Sequence, residues 1–235
     1  MMECDGILFD LDGTLWDSVD GILKTWNQVI ENHNWFRPAI TRQEQESVMG
    51  MQMDDIARKL FPGYPFPQQM EYMDECMELE NAYLRVHGGI LYPEVEETLK
   101  ALQEKHKLCI VSNCQKGYIE AFLAAHHLES YFCDHLSFGD TGRTKGENNR
   151  EIIARNGFRQ PVYVGDTQGD RKSALDAGIP FIYAAYGFGS VTDYAAKAET
   201  FAALKERPWE EGYAKRNKIL PFWRYTALRA GYRLF

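Results

Sequence analysis

Two aspartates, Asp10 and Asp12, close a short apolar run, Gly6-Ile-Leu-Phe-Asp-Leu-Asp12, and are followed by Gly13 and Thr14. Further polar residues stand at the ends of other apolar runs: Ser112 and Asn113 after Lys107-Leu-Cys-Ile-Val, and Gly165-Asp166-Thr-Gln-Gly-Asp170 after Pro161-Val-Tyr-Val. Lys145 precedes a helical pattern. Carboxylates gathered at one place repel one another unless a divalent cation neutralises them, and Mg²⁺ favours oxygen ligands in octahedral geometry. A phosphoryl group in flight carries negative charge on its equatorial oxygens and needs a cation, a lysine, and hydroxyl or backbone N–H donors around it. The residue types present would supply that set.

For this chemistry the residues must meet, and the elements between them say how. Apolar runs at 6–12, 107–112, 135–138, 161–165 and 180–184 read as buried strands, polar only where they leave the sheet. Helical patterns at 94–105, 116–126, 146–156 and 169–177 alternate with them, which implies βαβ units and a parallel sheet covered on both faces. In such an open sheet, ligands collect beyond the carboxyl ends of the strands, where all the residues above would lie. Asp10 and Asp12 start on one face of their strand, and the turn at Gly13 would let Asp12 swing away from Asp10. One carboxylate could then attack phosphorus while the other handles the proton of the leaving group. Two aspartates at a strand end also serve simply to begin a turn, so the pair in isolation does not decide between these roles.

The stretch from Trp16 to Gly89 breaks the alternation. It reads as helices at 19–32, 42–49, 53–60 and 68–86, with the breaker-rich Phe61-Pro-Gly-Tyr-Pro-Phe-Pro67 between the last two and no convincing strand. The expected architecture is therefore α/β: a Rossmann-like parallel core, residues 1–15 and 90–205, with a helical cap, residues 16–89, inserted after the first strand. A C-terminal extension, residues 206–235, follows.

Asp10-Leu-Asp-Gly-Thr14 resembles the first signature of the haloacid dehalogenase superfamily. Ser112-Asn113 at the end of an apolar strand resembles the second, Lys145 the third, and Gly165-Asp166-Thr-Gln-Gly-Asp170 the fourth, in the family's order. The resemblance implies roles. Asp10 would be the nucleophile, forming an aspartyl-phosphate, and a metal ligand. Asp12 would be the general acid and base, its backbone carbonyl on the metal. Asp166 and Asp170 would complete a Mg²⁺ site, and Ser112, Asn113 and Lys145 would hold the phosphoryl oxygens. Because the superfamily's dehalogenases dispense with the second carboxylate and the metal, Asp12, Asp166 and Asp170 favour phosphoryl transfer.

The likeness is closest to phosphoglycolate phosphatases and implies a magnesium-dependent phosphatase acting on a small phosphoester, phosphoglycolate-like or a sugar phosphate. A phosphomutase of the β-phosphoglucomutase type and a non-catalytic regulatory protein on the same fold are the alternatives. The resemblance also makes the insertion a cap with two hinge strands, 14–18 and 88–92, and with Met51, Gln52 and Arg58 as candidates to face substrate.

Composition narrows the partners. The chain has 235 residues, 45% hydrophobic and 26% charged, enough for a core on a soluble protein, and its net charge of −8 argues against a general nucleic-acid binder. Five scattered cysteines, without a CxxC pair, fit reduced thiols, and no leader-like segment or apolar stretch of membrane-spanning length is apparent, so a cytoplasmic protein without membrane insertion is expected. The last 23 residues, Tyr213 to Phe235, mix six Lys and Arg with aromatics and carry no acidic side chain. Packing of those aromatics on the core is favoured over contact with an anionic membrane, a nucleic acid or a partner protein. Cys114, His87, the His126-His127 pair and Cys133-Asp-His135 are read as structural.

Overall fold

The structure is a computed structural model and describes residues 4–33, 37–206 and 208–209. The basic, aromatic tail lies outside these residues. Among the described residues the strands are β1 (Gly6–Phe9), β2 (Trp16–Asp17), β3 (Ile90–Leu91), β4 (Lys107–Ser112), β5 (Asp134–Ser137), β6 (Pro161–Gly165), β7 (Phe181–Ala184) and β8 (Ala196–Ala198). The helices are α1 (Val19–Asn32), α2 (Arg42–Glu46), α3 (Met53–Leu60), α4 (Phe66–His87), α5 (Val95–Gln103), α6 (Tyr118–His126), α7 (Phe138–Thr141), α8 (Lys145–Asn156) and α9 (Gln168–Ala177).

Six strands form one sheet in the order β5-β4-β1-β6-β7-β8, and every pairing in it is parallel. β1 is central. The chain builds outward from it through β4 and β5 on one side and then returns to place β6 and β7 on the other. Crevices open where strand order reverses in this way, here at the carboxyl end of β1. Alternation along the strands fills both faces. Ile7, Phe9, Ile110 and Val164 join the core beneath α5 and α6, whereas Leu8, Val111, Tyr163 and Phe181 join Ile152 of α8 and Ala174 of α9 on the opposite face. That two-sided burial is why these strands are nearly continuous apolar runs.

Between β2 and β3 stand α1 to α4. Trp26, Ile56, Leu60, Met73, Cys76 and Leu84 are buried where these helices meet, and α4 also packs along α6 of the sheet layer. β2 and β3 pair antiparallel, Trp16 with Leu91 and Asp17 with Ile90, and so tie the entry of the helical insertion to its exit. The ribbon falls within the hinge strands that the resemblance implied at 14–18 and 88–92, although the sequence pattern alone showed no strand there. Two residues at each end suffice for a ribbon, too few for a periodicity to register.

Three other boundaries differ from the sequence pattern. Phe138 is not the end of a strand but the first residue of α7, where Ser137 and Asp140 form a capping box. β8 was not expected at all, since Ala-Lys-Ala has little intrinsic preference for a strand and is held there by its pairing with β7. α4 begins at Phe66, with Pro67 in its first turn, where a missing N–H costs nothing.

The ribbon leaves no room beside Gly89. A Cβ there would lie 2.7 Å from the Asp17 carbonyl oxygen and 2.8 Å from the Trp16 ring, whereas one at Gly63 would meet nothing within 4 Å. Gly89→Ala is expected to lower unfolding free energy by about 1–3 kcal/mol, and Gly63→Ala to leave it unchanged or raise it by up to about 1 kcal/mol. Urea denaturation of both variants checks this; equal effects would contradict the packing of the ribbon.

Candidate active site

β1 delivers Asp10 to the crevice. Its backbone N–H donates to the Val164 carbonyl (2.8 Å), which extends the β1–β6 ladder by one step, and its side chain is buried. The chain then turns sharply. The Leu11 carbonyl accepts from the N–H groups of Thr14 and Leu15, and Gly13, at φ +79°, occupies a conformation L side chains avoid. A Cβ at Gly13 would also run into the Asp166 carboxylate. The glycine is therefore required twice, by the turn and by the neighbour.

The fourth signature has a local explanation. Thr167 is the N-cap of α9 and Asp170 its capping-box partner: Thr167 donates from its N–H (2.9 Å) and hydroxyl (2.6 Å) to Asp170 Oδ2 and accepts from the Asp170 N–H. This fixes the four-residue spacing between Asp166 and Asp170. It also leaves Asp170 Oδ1 pointing into the site. Gly165 is needed because a Cβ there would come within 2.6 Å of Asp170 Cβ.

Lys145 connects the two carboxylates. It is the first residue of α8 itself, not a residue before it, and its N-cap Thr144 shares a capping box with Glu147. Its Nζ donates to Asp10 Oδ1 and to Asp170 Oδ1, both at 2.7 Å, with all three side chains buried. One ammonium cannot neutralise both. Burial raises the pKa of each carboxyl, but for Asp170 the charge and hydrogen bond of Lys145, helped by the two Thr167 donors, prevail and hold it below the ordinary range. Burial and the charge of Asp170 instead push Asp10 well above that range, against the pull of Lys145. Burial and the same charge raise Asp166 to about 7, although the N–H groups of Phe188 (2.7 Å) and Gly189 (3.1 Å) donate to its Oδ2.

Carboxylate oxygens of Asp10, Asp166 and Asp170 come within 4.8 Å of one another. Asp10 Oδ2 and Asp166 Oδ1 are buried without a hydrogen-bond partner. Unpaired buried oxygens on three crowded acids are what a hard divalent cation would satisfy, and its charge would reverse the upward pKa shifts. The donor set present therefore fits Mg²⁺.

Asp12 stands apart from that cluster. Its Oδ1 accepts from Ser18 (2.6 Å) and Tyr118 (2.9 Å), and the Tyr118 hydroxyl oxygen also lies 2.9 Å from Ser18 Oγ. The side chain is partly exposed to a cleft, yet burial by the surrounding walls raises its pKa against these hydrogen bonds. The cleft lies between the crevice and the helical insertion, and Ser112 and Asn113 line it together with Met51. Asn113 Nδ2 donates to the Gly50 carbonyl (2.9 Å), so its side chain binds the insertion to the sheet layer.

Two of the three expected cap residues do not reach the cleft. Arg58 is exposed, pairs with Asp55 (3.3 Å) and lies over the Phe66 ring, and Gln52 is the N-cap of α3 outside the cleft lining. Their i,i+3 and capping positions on a short surface helix account for this. Cys114 is buried, with its thiol pushed up by burial, and the His126 ring packs edge-on against Trp16.

Sequence reasoning missed several residues of this site. Ser18 and Tyr118 carry no motif of their own, and they meet Asp12 only because β2 and α6 adjoin. Gly187-Phe-Gly189 follows β7, and its repeated glycines were the available signal. A Cβ on Gly187 would collide with the Gly13 carbonyl and with Asp166. Glu80 is the most isolated in sequence. It is buried in α4, accepts from Trp26 Nε1 (2.5 Å) and Gln115 Nε2 (3.2 Å), and burial raises its carboxyl to about 8.

A family model for haloacid dehalogenase-like hydrolases matches residues 7–184. A phosphoglycolate phosphatase of Rhodobacter capsulatus is 30% identical over 211 residues, covering 84% of this chain and 94% of that protein. The phosphoglycolate phosphatase of Escherichia coli K12 is 26% identical over 206 residues, covering 78% of this chain and 82% of the relative. Among solved structures, a haloacid dehalogenase-like hydrolase from Bacteroides fragilis aligns with a TM-score of 0.76 at 23% identity, covering 86% of this chain and 100% of that one. At that identity the likeness speaks for the fold.

Glu80 makes a pH dependence testable. An acid whose pKa rises from 4.5 when unfolded to about 8 when folded favours the native state at low pH and loses that advantage as pH rises between those values. Each pH unit in the window removes up to about 1.4 kcal/mol. Glu80→Gln should therefore gain on the wild type steadily between pH 5 and 8 and hold a constant difference above that. Melting temperatures of both proteins across this range check it; parallel curves would contradict an ionisable, buried Glu80.

Proposed function

The chain belongs to the haloacid dehalogenase-like hydrolases, and on that premise we propose that it is a magnesium-dependent phosphatase hydrolysing a small phosphorylated metabolite through an aspartyl-phosphate on Asp10. The phosphatase activity itself is supported by relatives named phosphoglycolate phosphatase. The observation that carries the mechanism is the buried constellation of Asp10, Lys145, Asp166 and Asp170, with Asp12 held separately beside a cleft.

In the first half-reaction an Asp10 carboxylate oxygen attacks phosphorus. The bond to the ester oxygen breaks, and that oxygen takes a proton from Asp12. Burial raises the pKa of Asp12 and so favours its protonated form, and Ser18 and Tyr118 hold its carboxyl at the cleft. In the second half-reaction Asp12 removes a proton from water as the water oxygen attacks phosphorus. The bond to Asp10 then breaks and inorganic phosphate leaves.

Lys145 steadies the phosphoryl oxygens while it orients Asp10, and Ser112 at the end of β4 adds a hydroxyl on the neighbouring strand. Asp10, Asp166, Asp170 and the Asp12 backbone carbonyl would hold Mg²⁺, which when bound would supply positive charge to offset the three carboxylates and the negative charge on the phosphoryl oxygens. The helical insertion acts as a cap, keeping bulk water from the site and contacting the leaving group.

Release of phosphate from p-nitrophenyl phosphate, with and without Mg²⁺, tests this reading. Turnover should require the metal, and Asp10→Asn should lower kcat by at least about a thousandfold while keeping the wild-type circular dichroism spectrum. Retained turnover in the variant would remove Asp10 from the role of nucleophile.

A further inference from the structure

The three side-chain amides of the cleft beside Asp12 share one feature. Gln45, Asn113 and Gln115 line that cleft, and Gln45 Oε1, Asn113 Oδ1 and Gln115 Oε1 are all buried without a hydrogen-bond partner. Their amide orientations are set by what the nitrogens do. Asn113 Nδ2 donates to the Gly50 carbonyl (2.9 Å), and Gln115 Nε2 donates to both Glu80 Oε1 (3.2 Å) and Asn81 Oδ1 (3.1 Å). Turning either amide over would set oxygen against oxygen. Gln45 Nε2 points at the Met49 sulfur (3.7 Å), a weaker but consistent anchor.

Two carboxyl groups, Asp12 and Glu80, and two hydroxyls, Ser112 and Tyr118, complete the polar lining, the Tyr118 hydroxyl being already bonded to Asp12. No Lys, Arg or His side chain is among the described residues that line the cleft, and Lys145 is engaged by Asp10 and Asp170. The apolar part of the lining comes chiefly from Ile22, Val48, Met49, Met53 and Ile56, with the Trp26 ring.

A buried acceptor without a donor carries a desolvation cost that a ligand hydroxyl or amine would relieve. A ligand carboxylate would do the reverse. It would bring a further negative charge toward Asp12 and Glu80, with no side-chain cation to pair with. Sites built to hydrogen-bond one functional group discriminate steeply against analogues that lack it.

We propose that this cleft selects phosphomonoesters whose leaving group is rich in hydrogen-bond donors and carries no anionic charge, and that it disfavours carboxylate-bearing esters such as 2-phosphoglycolate. Gln115 and Glu80 are its specificity-determining residues. The proposal rests on the phosphatase reading above and departs from the substrate that the relatives' names suggest. Polyols and amino alcohols share the required chemistry, and Glu80 would favour the second if it ionises on binding.

The test is a comparison of kcat/KM for glycerol 3-phosphate, ethanolamine phosphate and 2-phosphoglycolate with the full chain and Mg²⁺, alongside p-nitrophenyl phosphate. Either of the first two should exceed 2-phosphoglycolate by at least about tenfold. Preference for glycerol 3-phosphate identifies neutral hydroxyl donors, and preference for ethanolamine phosphate identifies a cationic donor. Gln115→Leu should reduce that ratio at least about threefold, a quantity independent of how much of the variant is folded. Turnover of p-nitrophenyl phosphate with equal or greater activity on 2-phosphoglycolate overturns the proposal alone. No release from any of the four esters overturns the phosphatase reading and the proposal with it.

Discussion

Three carboxylates and one ammonium are buried together at the carboxyl end of the central strand, and the rest of the structure answers to that concentration of charge. Lys145 reaches Asp10 and Asp170 at the same distance, 2.7 Å, but leaves Asp166 to backbone N–H groups. The cluster therefore remains short of positive charge, and the shortage appears as raised pKa values at Asp10 and Asp166 and as unpaired oxygens on both. A protein gains no stability from such an arrangement. It is the kind of local cost that folds carry where a charged ligand is to be received.

Each nearby element holds one member of the cluster in place. The parallel ladder from β6 to Asp10 fixes the depth of the first carboxylate, the capping box of α9 sets Asp170, and the capping box of α8 sets Lys145. Glycines at 13, 165 and 187 clear space where side chains from four segments converge. Asp12 escapes the same field because the turn after Asp10 carries it to Ser18 and Tyr118 instead. Two aspartates one residue apart thus occupy different electrostatic surroundings, which is how one could act as nucleophile and the other as acid and base.

Much of this was legible in the sequence because it is local. Buried strands read as apolar runs, capping boxes are four-residue patterns, and a turn at Gly13 follows from its position, so β1, β4, β6, α9 and the order of polar residues along the sheet edge could be read without coordinates. What could not be read depends on contacts between distant segments. Tyr118 meets Asp12 across 106 positions and Glu80 meets Trp26 across 54. A lone tyrosine in an apolar helix and one of four glutamates in an acidic one look like packing and surface. β8 was invisible because three residues carry no period, and β2 and β3, of two residues each, were expected only from the resemblance. Arg58 was expected near substrate from its place in a motif, whereas helix geometry pairs it with its own neighbours.

Cation binding by the carboxylate cluster underlies everything proposed for this chain, and it can be measured without a substrate. Thermal unfolding followed while Mg²⁺ is raised from micromolar to millimolar, against NaCl of matched ionic strength, reports on it directly. A saturable rise in Tm with Mg²⁺, weakened in Asp166→Asn, is the expected result. An unchanged Tm, or the same rise with NaCl, would contradict a divalent-cation site at Asp10, Asp166 and Asp170.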